Sequence, residues 1–264
     1  MSLGTILPAG FRYAAAYAGI RKVAKDDLAL IVSDTPASAA AVFTKNLVVA
    51  APVELARRNL RESRGRVRAW LINAGNANCA TRTGERVALE CVRSVAKTLG
   101  VQEQEVLPAS TGVIGVEMNA RLIVDTIPEL AAALRPDSFD AVAAAIMTTD
   151  TRAKTAFAKM KRATVAGMAK GSGMIHPRMA TTLGFVMTDA VASPAELRAA
   201  LKKAIGVSFN HAEEALPEGP QRALPAASAE RKRLSTQRHA EGDSSYWRRA
   251  KAGPLALLIP TTGF

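Results

Sequence analysis

Cysteine and histidine are scarce in this sequence of 264 residues, which contains two cysteines and three histidines. Cys79 and Cys91 are too few for a disulfide framework, and they do not form a CxxC pair of the kind that binds zinc. We therefore expect no metal cofactor, and we interpret both cysteines as small core residues. Low cysteine content fits a reducing compartment, so the predicted location is the cytoplasm.

Long apolar runs are also missing from the sequence. No stretch approaches the ~18 consecutive apolar residues of a membrane-spanning helix, so no membrane segment is predicted. Residues 1–10 carry no lysine or arginine ahead of their short apolar stretch, which argues against a secretory signal. Hydrophobic residues make up 48% of the chain and charged residues 22%, a balance typical of a folded globular protein.

Aromatic residues are few, and this bears on the meaning of the positive charge. The formal net charge of +12 is compatible with either a nucleic acid or an anionic substrate. The lysines and arginines are interleaved with acids, however, and their tight run is confined to Arg231–Arg233. Three tyrosines and two tryptophans offer few surfaces on which bases stack. We therefore expect no nucleic-acid partner.

Hydrophobic periodicity predicts short strands mixed with helices over residues 1–210. The predicted strands are Leu28–Val32, Ala40–Phe43, Ala69–Asn73 and Leu183–Met187. The predicted helices are Gly84–Leu99, Asp137–Met147 and Pro194–Ile205, the last with Ser193 and Glu196 as a capping box. These elements follow no regular βαβ rhythm, and Gly171-Ser172-Gly173 lacks the third glycine of a dinucleotide-binding turn. We predict an α/β domain without a nucleotide site.

The composition changes at His211. Residues 211–264 hold five of the thirteen prolines and show no sustained periodicity, apart from the apolar segment Leu255–Ile259. We therefore divide the chain into a domain of residues 1–210 and an irregular tail of residues 211–264.

Three segments carry residues suited to chemistry. Pro108–Gly115 combines two glycines with two hydroxyls, and it fits either an oxyanion hole or a plain glycine-rich turn. Met147–Thr151 fits either a polar pocket wall or a helix end with local hydrogen bonds. Ala169–Leu183 places lysine, glycines, His176 and threonines before a strand. We favour a structural role for His176 beside Pro177 over a role as general base.

Taken together, these segments resemble the ornithine acetyltransferase family. Lys170–Leu183 is similar to the segment in which that family cuts its own chain between an alanine and a threonine. Pro108–Gly115 resembles the family's oxyanion-hole loop, and Met147–Thr151 its substrate-contacting threonine segment. Phe43–Asn46 and Ile72–Asn78 match two further signatures, and all five occur in family order.

The resemblance implies a layered α-β-β-α sandwich and a specific set of site residues. Cleavage between Ala180 and Thr181 would end an α chain near residue 180 and begin a β chain at Thr181. Thr181 would then be the nucleophile, activated by its own α-amine. Thr111 and Gly112 would stabilise the oxyanion. The implied substrate-contacting positions are Thr148, Lys170 and Thr181.

The implied reaction transfers acetyl from N2-acetylornithine to glutamate through an acetyl-threonine intermediate in arginine biosynthesis. No cofactor is implied, and acetyl-CoA stays open as a second acetyl donor because some members of the family use it. The cleaved chains of the family assemble as an αβ heterotetramer, which is therefore the expected assembly.

The similarity ends at Ser208–Asn210, and this leaves two alternatives to the transferase. The chain is either an inactive, truncated fragment of such an enzyme, or a hydrolase related to self-cleaving aminopeptidases of similar fold. The family motifs favour the transferase over the peptidase. A reading-frame shift near codon 210 is our hypothesis for the unmatched tail, and we expect little acetyltransferase activity from the 264 residues alone.

Overall fold

The computed structural model describes residues 7–44, 46–171, 182–206 and 255–260. The strands are β1 Phe11–Ala16, β2 Leu28–Ala41, β3 Arg66–Asn76, β4 Val106–Val113, β5 Lys154–Lys159, β6 Thr164–Lys170, β7 Leu183–Thr188 and β8 Leu255–Pro260. The helices are α1 Ala51–Glu62, α2 Gly84–Leu99, α3 Ala120–Val124, α4 Ile127–Ala132, α5 Phe139–Ala145 and α6 Pro194–Gly206, with a 3-10 turn at Glu103–Glu105.

Strand β2 is long and belongs to both halves of the sheet. The strand order is β4-β3-β2-β8-β7-β6-β5, and β1 also pairs with β2. The register of β2 against β3 shifts between Val32 and Ala37. Before the shift β2 pairs with β1, which is antiparallel to it. After the shift the same edge of β2 pairs with β8, which is parallel to it. A bulge bends a strand, and the bend in β2 allows the β5–β8 half to pack over one face of the β1–β4 half.

The core lies on both faces of the β1–β4 half, because successive strand residues point to opposite faces. Ile31 and Trp70 pack with Met168 and Phe185 of β6 and β7, which buries one face between the two halves of the sheet. The neighbouring residues of β2 and β3 face the other way and pack against helices α2, α3 and α4. On the outer side of the second half, Leu197 of α6 packs against residues that include Ala40 of β2.

This arrangement is the predicted α/β fold, with helices, two layers of strands and a further helix. The prediction of a layered α-β-β-α sandwich is therefore confirmed. Helix α2 has the predicted bounds. Helix α6 begins with the predicted capping box: the Ser193 amide and hydroxyl donate to a Glu196 carboxylate oxygen at 2.7 and 2.8 Å, and the Glu196 amide donates to the Ser193 hydroxyl at 3.3 Å.

Several elements depart from the sequence prediction. The two strands predicted at 28–32 and 40–43 are one strand, β2. Pro108–Gly115 is not a turn, because residues as far as Val113 belong to β4. The short strand β1 and helix α1 were not predicted. The apolar segment Leu255–Ile259, which stood out in the tail, lies in β8 and pairs with both β2 and β7.

Both cysteines lie in the core, as expected. Cys79 and Cys91 are free and buried. Burial raises the pKa of the Cys91 thiol to about 12, so this side chain stays neutral in the core. Within the described ranges, no helix is long and apolar enough to cross a membrane.

Candidate active site

Lys170 is the centre of the candidate site. It is the last residue of β6, is 5% exposed, and pairs in the sheet with Leu183, the first residue of β7. Its ammonium group donates to the hydroxyl of Thr111 at 2.6 Å and to the hydroxyl of Thr148 at 3.0 Å. Three positions that the sequence singled out in three separate segments are therefore in direct contact.

The charges around Lys170 are mostly positive. Burial, with a smaller effect of the neighbouring cations Lys154 and Arg21, lowers the pKa of its ammonium group to about 8, although Asp150 opposes the change. Asp150 is itself nearly buried and accepts hydrogen bonds from the Lys154 ammonium group and, at 3.0 Å, from the amide of Gly171. Burial raises the pKa of Asp150, but these hydrogen bonds outweigh it and keep the pKa below its usual value.

Thr111 and Gly112 lie side by side near the end of β4. Thr111 is 4% exposed, and Gly112 has φ of 132°, a backbone conformation that side chains rarely adopt. In the parallel pairing of β3 with β4, Gly112 lies opposite Gly75. A Cβ on Gly112 would lie 2.2 Å from the carbonyl carbon of Gly75, so the two backbones approach closely because Gly112 has no side chain. The segment predicted to stabilise an oxyanion is thus a closely packed strand end.

A network of buried amides supports this strand end. Asn73 donates to the backbone carbonyl of Asn76 at 2.7 Å and accepts from the hydroxyl of Ser110. Asn76 donates to the carbonyl of Val116 at 2.9 Å and accepts from the amide of Asn78 at 2.7 Å. Since these polar groups are buried and paired, they fix the turns that follow β3 and β4. The signature Ile72–Asn78 therefore has a structural role beside the site.

Thr148 follows the carboxyl end of α5. The helix ends at Ala145, and the amide of Thr148 donates to the carboxylate of Asp150 at 3.4 Å. Met147–Thr151 is a helix end with a local hydrogen bond, and it also directs the Thr148 hydroxyl to Lys170; its interpretation as a pocket wall stays a prediction. The signature Phe43–Asn46 is held to α1, where Arg57 lies over the Phe43 ring and donates to the carbonyl of Thr44.

Arg21 is a part of the site that the sequence did not reveal. Its guanidinium group donates to three backbone carbonyls, those of Ala74, Ala145 and Met147, beside the segments that carry Gly112 and Thr148. The acceptors at 145 and 147 are 124 and 126 residues away along the chain, and a loop arginine carries no sequence signal for such contacts.

The predicted cleavage point lies outside the described residues. Ala180, Thr181 and His176 belong to the segment 172–181, so the roles assigned to them stay predictions. Over the part of the chain that the structure describes, no group of three or more His, Cys, Asp or Glu residues is placed to hold a metal ion.

Comparison with known proteins agrees with the sequence motifs. The model of the ArgJ family matches residues 12–213. The arginine biosynthesis bifunctional protein ArgJ of Geobacter sulfurreducens is 48% identical over 206 residues, covering 76% of this chain and 52% of the relative. The protein of the same name from Thermus thermophilus is 46% identical over 208 residues, covering 77% of this chain and 53% of the relative.

Solved structures show the same fold. ArgJ from Bacillus halodurans is 33% identical, with a TM-score of 0.56, over 66% of this chain and 92% of that chain. Ornithine acetyltransferase from Mycobacterium tuberculosis, solved in complex with ornithine, is also 33% identical, with a TM-score of 0.58, over 65% of this chain and 93% of that chain.

The fold and the motifs thus define a layered α/β protein of the ornithine acetyltransferase class. The chain belongs to the ArgJ family. It spans about half the length of the curated relatives that it matches.

Proposed function

We propose that residues 1–210 supply the nucleophile, the oxyanion donors and part of the substrate site of an acetyltransferase. The proposed reaction transfers acetyl from N2-acetylornithine to glutamate in the cytoplasm. The observation that carries the proposal is the double hydrogen bond of the Lys170 ammonium group to Thr111 and Thr148. It brings together three residues to which the family resemblance gives complementary roles, and relatives named for arginine biosynthesis support the same reaction.

The proposed reaction begins with cleavage of the chain. Water adds across the Ala180–Thr181 peptide bond, which leaves a carboxylate on Ala180 and a free α-amine on Thr181. An unperturbed α-amine has a pKa of about 7.7–8.0, so near neutral pH a useful fraction is unprotonated and can act as a base. A threonine hydroxyl needs such a base because it is a weak nucleophile on its own.

Acetyl transfer then takes two steps. The amine takes the hydroxyl proton as Oγ1 of Thr181 attacks the acetyl carbonyl carbon, and Thr111 and Gly112 donate to the oxyanion. The bond to the ornithine nitrogen breaks, that nitrogen takes the proton, and an acetyl ester remains on Thr181. The amine of glutamate attacks the ester carbon, the bond to Oγ1 breaks, and the proton lost by that amine returns to Oγ1. N-acetylglutamate leaves, and free Thr181 is restored.

Lys170 is suited to the carboxylate that both substrates carry. An ammonium group has three N–H donors, and Thr111 and Thr148 use two of them. The chain path supports the proximity of the nucleophile, since Leu183, two residues after Thr181, pairs with Lys170. The ornithine complex of the Mycobacterium tuberculosis relative supports a substrate of the ornithine type. Acetyl-CoA as a second donor and an αβ heterotetramer belong to the same proposal.

A chimera tests this function. Residues 1–210 of this chain, joined to the part of the Geobacter sulfurreducens relative that follows its matched region, should cleave at Thr181 and form N-acetylglutamate from N2-acetylornithine and glutamate. Intact-mass spectrometry reports the cleavage, and chromatography with mass detection reports the product. Thr181→Ala should abolish both, whereas Thr181→Ser should retain slow cleavage because it keeps a hydroxyl.

The control variant addresses the neighbouring hydroxyl. Thr182→Val preserves the shape of the next threonine and should still cleave and transfer acetyl. A chimera that folds but neither cleaves nor transfers would favour the alternative of an inactive fragment. Transfer retained by Thr181→Ala would remove the nucleophile assignment.

A further inference from the structure

We propose that Arg21 is a positioning residue of this site, because its side chain holds both the end of β3, which lies against Gly112, and the backbone directly before Thr148. The inference rests on the acetyltransferase function proposed above. Arg21 belongs to the loop between β1 and β2 and lies outside all five sequence motifs of the family.

The backbone of Arg21 is fixed by a buried carboxylate. Asp27 is fully buried and accepts hydrogen bonds from the amides of Ala18 at 2.7 Å and of Arg21 at 2.8 Å. The carbonyl of Asp27 accepts from the amide of Ala74 at 2.8 Å. The loop is therefore attached to the end of β3 by bonds that do not involve the Arg21 side chain. The backbone position of Arg21 is thus fixed independently of its side-chain contacts.

The guanidinium group joins two elements. Its Nε donates to the carbonyl of Ala74 at 2.6 Å, and its Nη2 donates to the carbonyls of Ala145, at 3.1 Å, and Met147. The last two carbonyls lie at the carboxyl end of α5, where a cation is favoured. Met147 directly precedes Thr148, so the side chain holds the backbone at the point where the Thr148 hydroxyl is directed to Lys170.

The aliphatic part of Arg21 covers the glycine that lies against Gly112. A Cβ on Gly75 would lie 3.0 Å from Cγ of Arg21, and a Cβ on Gly112 would lie 2.2 Å from the carbonyl carbon of Gly75. Arg21, Gly75 and Gly112 are thus stacked with no side chain between the two glycines. Ile20 also covers Gly75, with its Cγ2 2.9 Å from the Cβ position. In a close-packed interior a shift of one layer displaces the next, so the position of Arg21 contributes to that of Gly112.

The charge of Arg21 also acts on Lys170. The charged groups that influence the Lys170 ammonium group are Asp150, which raises its pKa, and Lys154 and Arg21, which lower it. Loss of the guanidinium charge should therefore raise the pKa of Lys170. This gives a readout at the site that a purely structural role elsewhere in the fold would not change.

The test compares Arg21→Met with wild type in the full 264-residue chain. Methionine keeps an unbranched apolar side chain over Gly75 but removes the guanidinium group. Hydrogen exchange should be faster by about tenfold or more in residues 110–113 and in residues 146–150, the factor expected when a hydrogen bond from a charged donor is lost. The pKa of Lys170, followed by NMR of its side chain, should rise. The matched control is Arg86→Ala, because Arg86 is an exposed arginine on α2 that pairs with Glu90. This variant should change neither the hydrogen exchange nor the pKa of Lys170.

Each outcome decides the inference. Faster exchange in both segments together with a raised Lys170 pKa supports it, whereas no change, or a change in one segment only, overturns it. If Arg21→Met does not fold, Arg21→Lys takes its place. It keeps the positive charge but has fewer hydrogen-bond donors, so it should show the faster exchange without the rise in the pKa of Lys170. A chimera without acetyl transfer would contradict the proposed function but leave these measurements valid. Where transfer is measurable in the chimera, kcat should fall by about 10²-fold, as expected for a small misplacement of the reacting groups.

Discussion

The Lys170 ammonium nitrogen lies 2.6 Å from the hydroxyl oxygen of Thr111, which precedes it by 59 residues. Because an ammonium group only donates, Thr111 must accept in this bond, and its own hydroxyl hydrogen points elsewhere. Because the bond from Lys170 fixes the Thr111 oxygen as an acceptor on one side, the hydroxyl hydrogen of Thr111 is oriented to donate on the other side. The contact therefore couples the group proposed to bind the substrate carboxylate with a group proposed to stabilise the oxyanion.

Removal of the Thr111 hydroxyl should slow the chemical step. We expect Thr111→Val to lower kcat for acetyl transfer by about 10²–10³-fold, the usual loss for one oxyanion donor. Thr111→Ser keeps the hydroxyl and should stay within about tenfold of wild type. Steady-state kinetics in the chimera measure both, and circular dichroism checks that β4 is intact. An unchanged kcat in Thr111→Val would mean that Thr111 serves only to hold Lys170.

The ionisation of Lys170 should set the alkaline limit of substrate binding. Burial and the cations Lys154 and Arg21 lower the pKa of Lys170 to about 8, although Asp150 opposes them. The protonated form, which attracts a carboxylate, is therefore lost as pH rises through about 8, and the affinity for ornithine should fall. In Lys170→Arg the side chain stays charged, so the part of the fall in affinity that Lys170 causes should be lost. Calorimetric titration between pH 6.5 and 9.5 gives the comparison.

The same pKa has a consequence for stability. In the unfolded chain Lys170 has its ordinary pKa of 10.5, so between about 8 and 10.5 the unfolded state binds a proton that the folded state has lost. The contribution of Lys170 to the free energy of unfolding should therefore increase with pH across this window. Urea titrations at several pH values should show this slope in wild type and not in Lys170→Met. An equal slope in both proteins would contradict a lowered pKa.

Elements of the fold could be predicted from the sequence where the hydrophobic pattern and the terminal residues indicate the same structure. Helix α2 places Ala88, Cys91, Val92 and Val95 on one face, and a left-handed glycine at Gly100 follows its last turn, so pattern and terminus agree. Strand β4 shows the opposite case. Its residues Pro108, Ser110 and Gly112 are typical of turns, yet pairing with β3 and the close approach of two glycines impose a strand. Tertiary contacts there outweigh local preference.

The sequence singled out residues of the candidate site but not their mutual geometry. The motifs identified Thr111, Thr148 and Lys170, but only the paired strands and the end of α5 bring their side chains within hydrogen-bonding distance. Arg21 could not be found this way, because its acceptors are backbone carbonyls, which any residue supplies. Strand β5 was also missed. All six of its residues are exposed, so it has no apolar alternation.

Glycine should be required at position 112 for a reason beyond its backbone angle. Gly100 has φ of 66° with no atom near its potential Cβ, so Gly100→Ala should cost about 1–2 kcal/mol, the cost of that conformation alone. Gly112→Ala adds a Cβ at 2.2 Å from the backbone of Gly75, and its destabilisation should be several times larger. Urea unfolding of the two variants makes the comparison. Similar losses would show that the approach of β3 and β4 relaxes easily.

The last prediction concerns the chain on its own. We expect the 264-residue protein to transfer acetyl at least about 10²-fold more slowly than the full-length relative from Geobacter sulfurreducens, because this chain spans 52% of that relative and small misplacements at a site cost about that factor. The apolar side chains of Val113, which follows Gly112, and Val116 are 56% and 51% exposed. Strand β5 leaves its outer edge unpaired within the described part of the chain, and an uncovered edge invites association.

The experiment expresses both proteins side by side and follows N-acetylglutamate formed from N2-acetylornithine and glutamate. The chimera described above is the control. It should restore the rate of transfer if the low rate of the 264-residue chain results from the absence of the residues that follow the matched region in the relative. Val113→Ser and Val116→Ser should improve the solubility of the chain without restoring its rate of transfer. This result would show that the low rate comes from an incomplete site and not from aggregation. Comparable rates from the 264-residue chain and the relative would show that residues beyond the matched region are not needed for transfer.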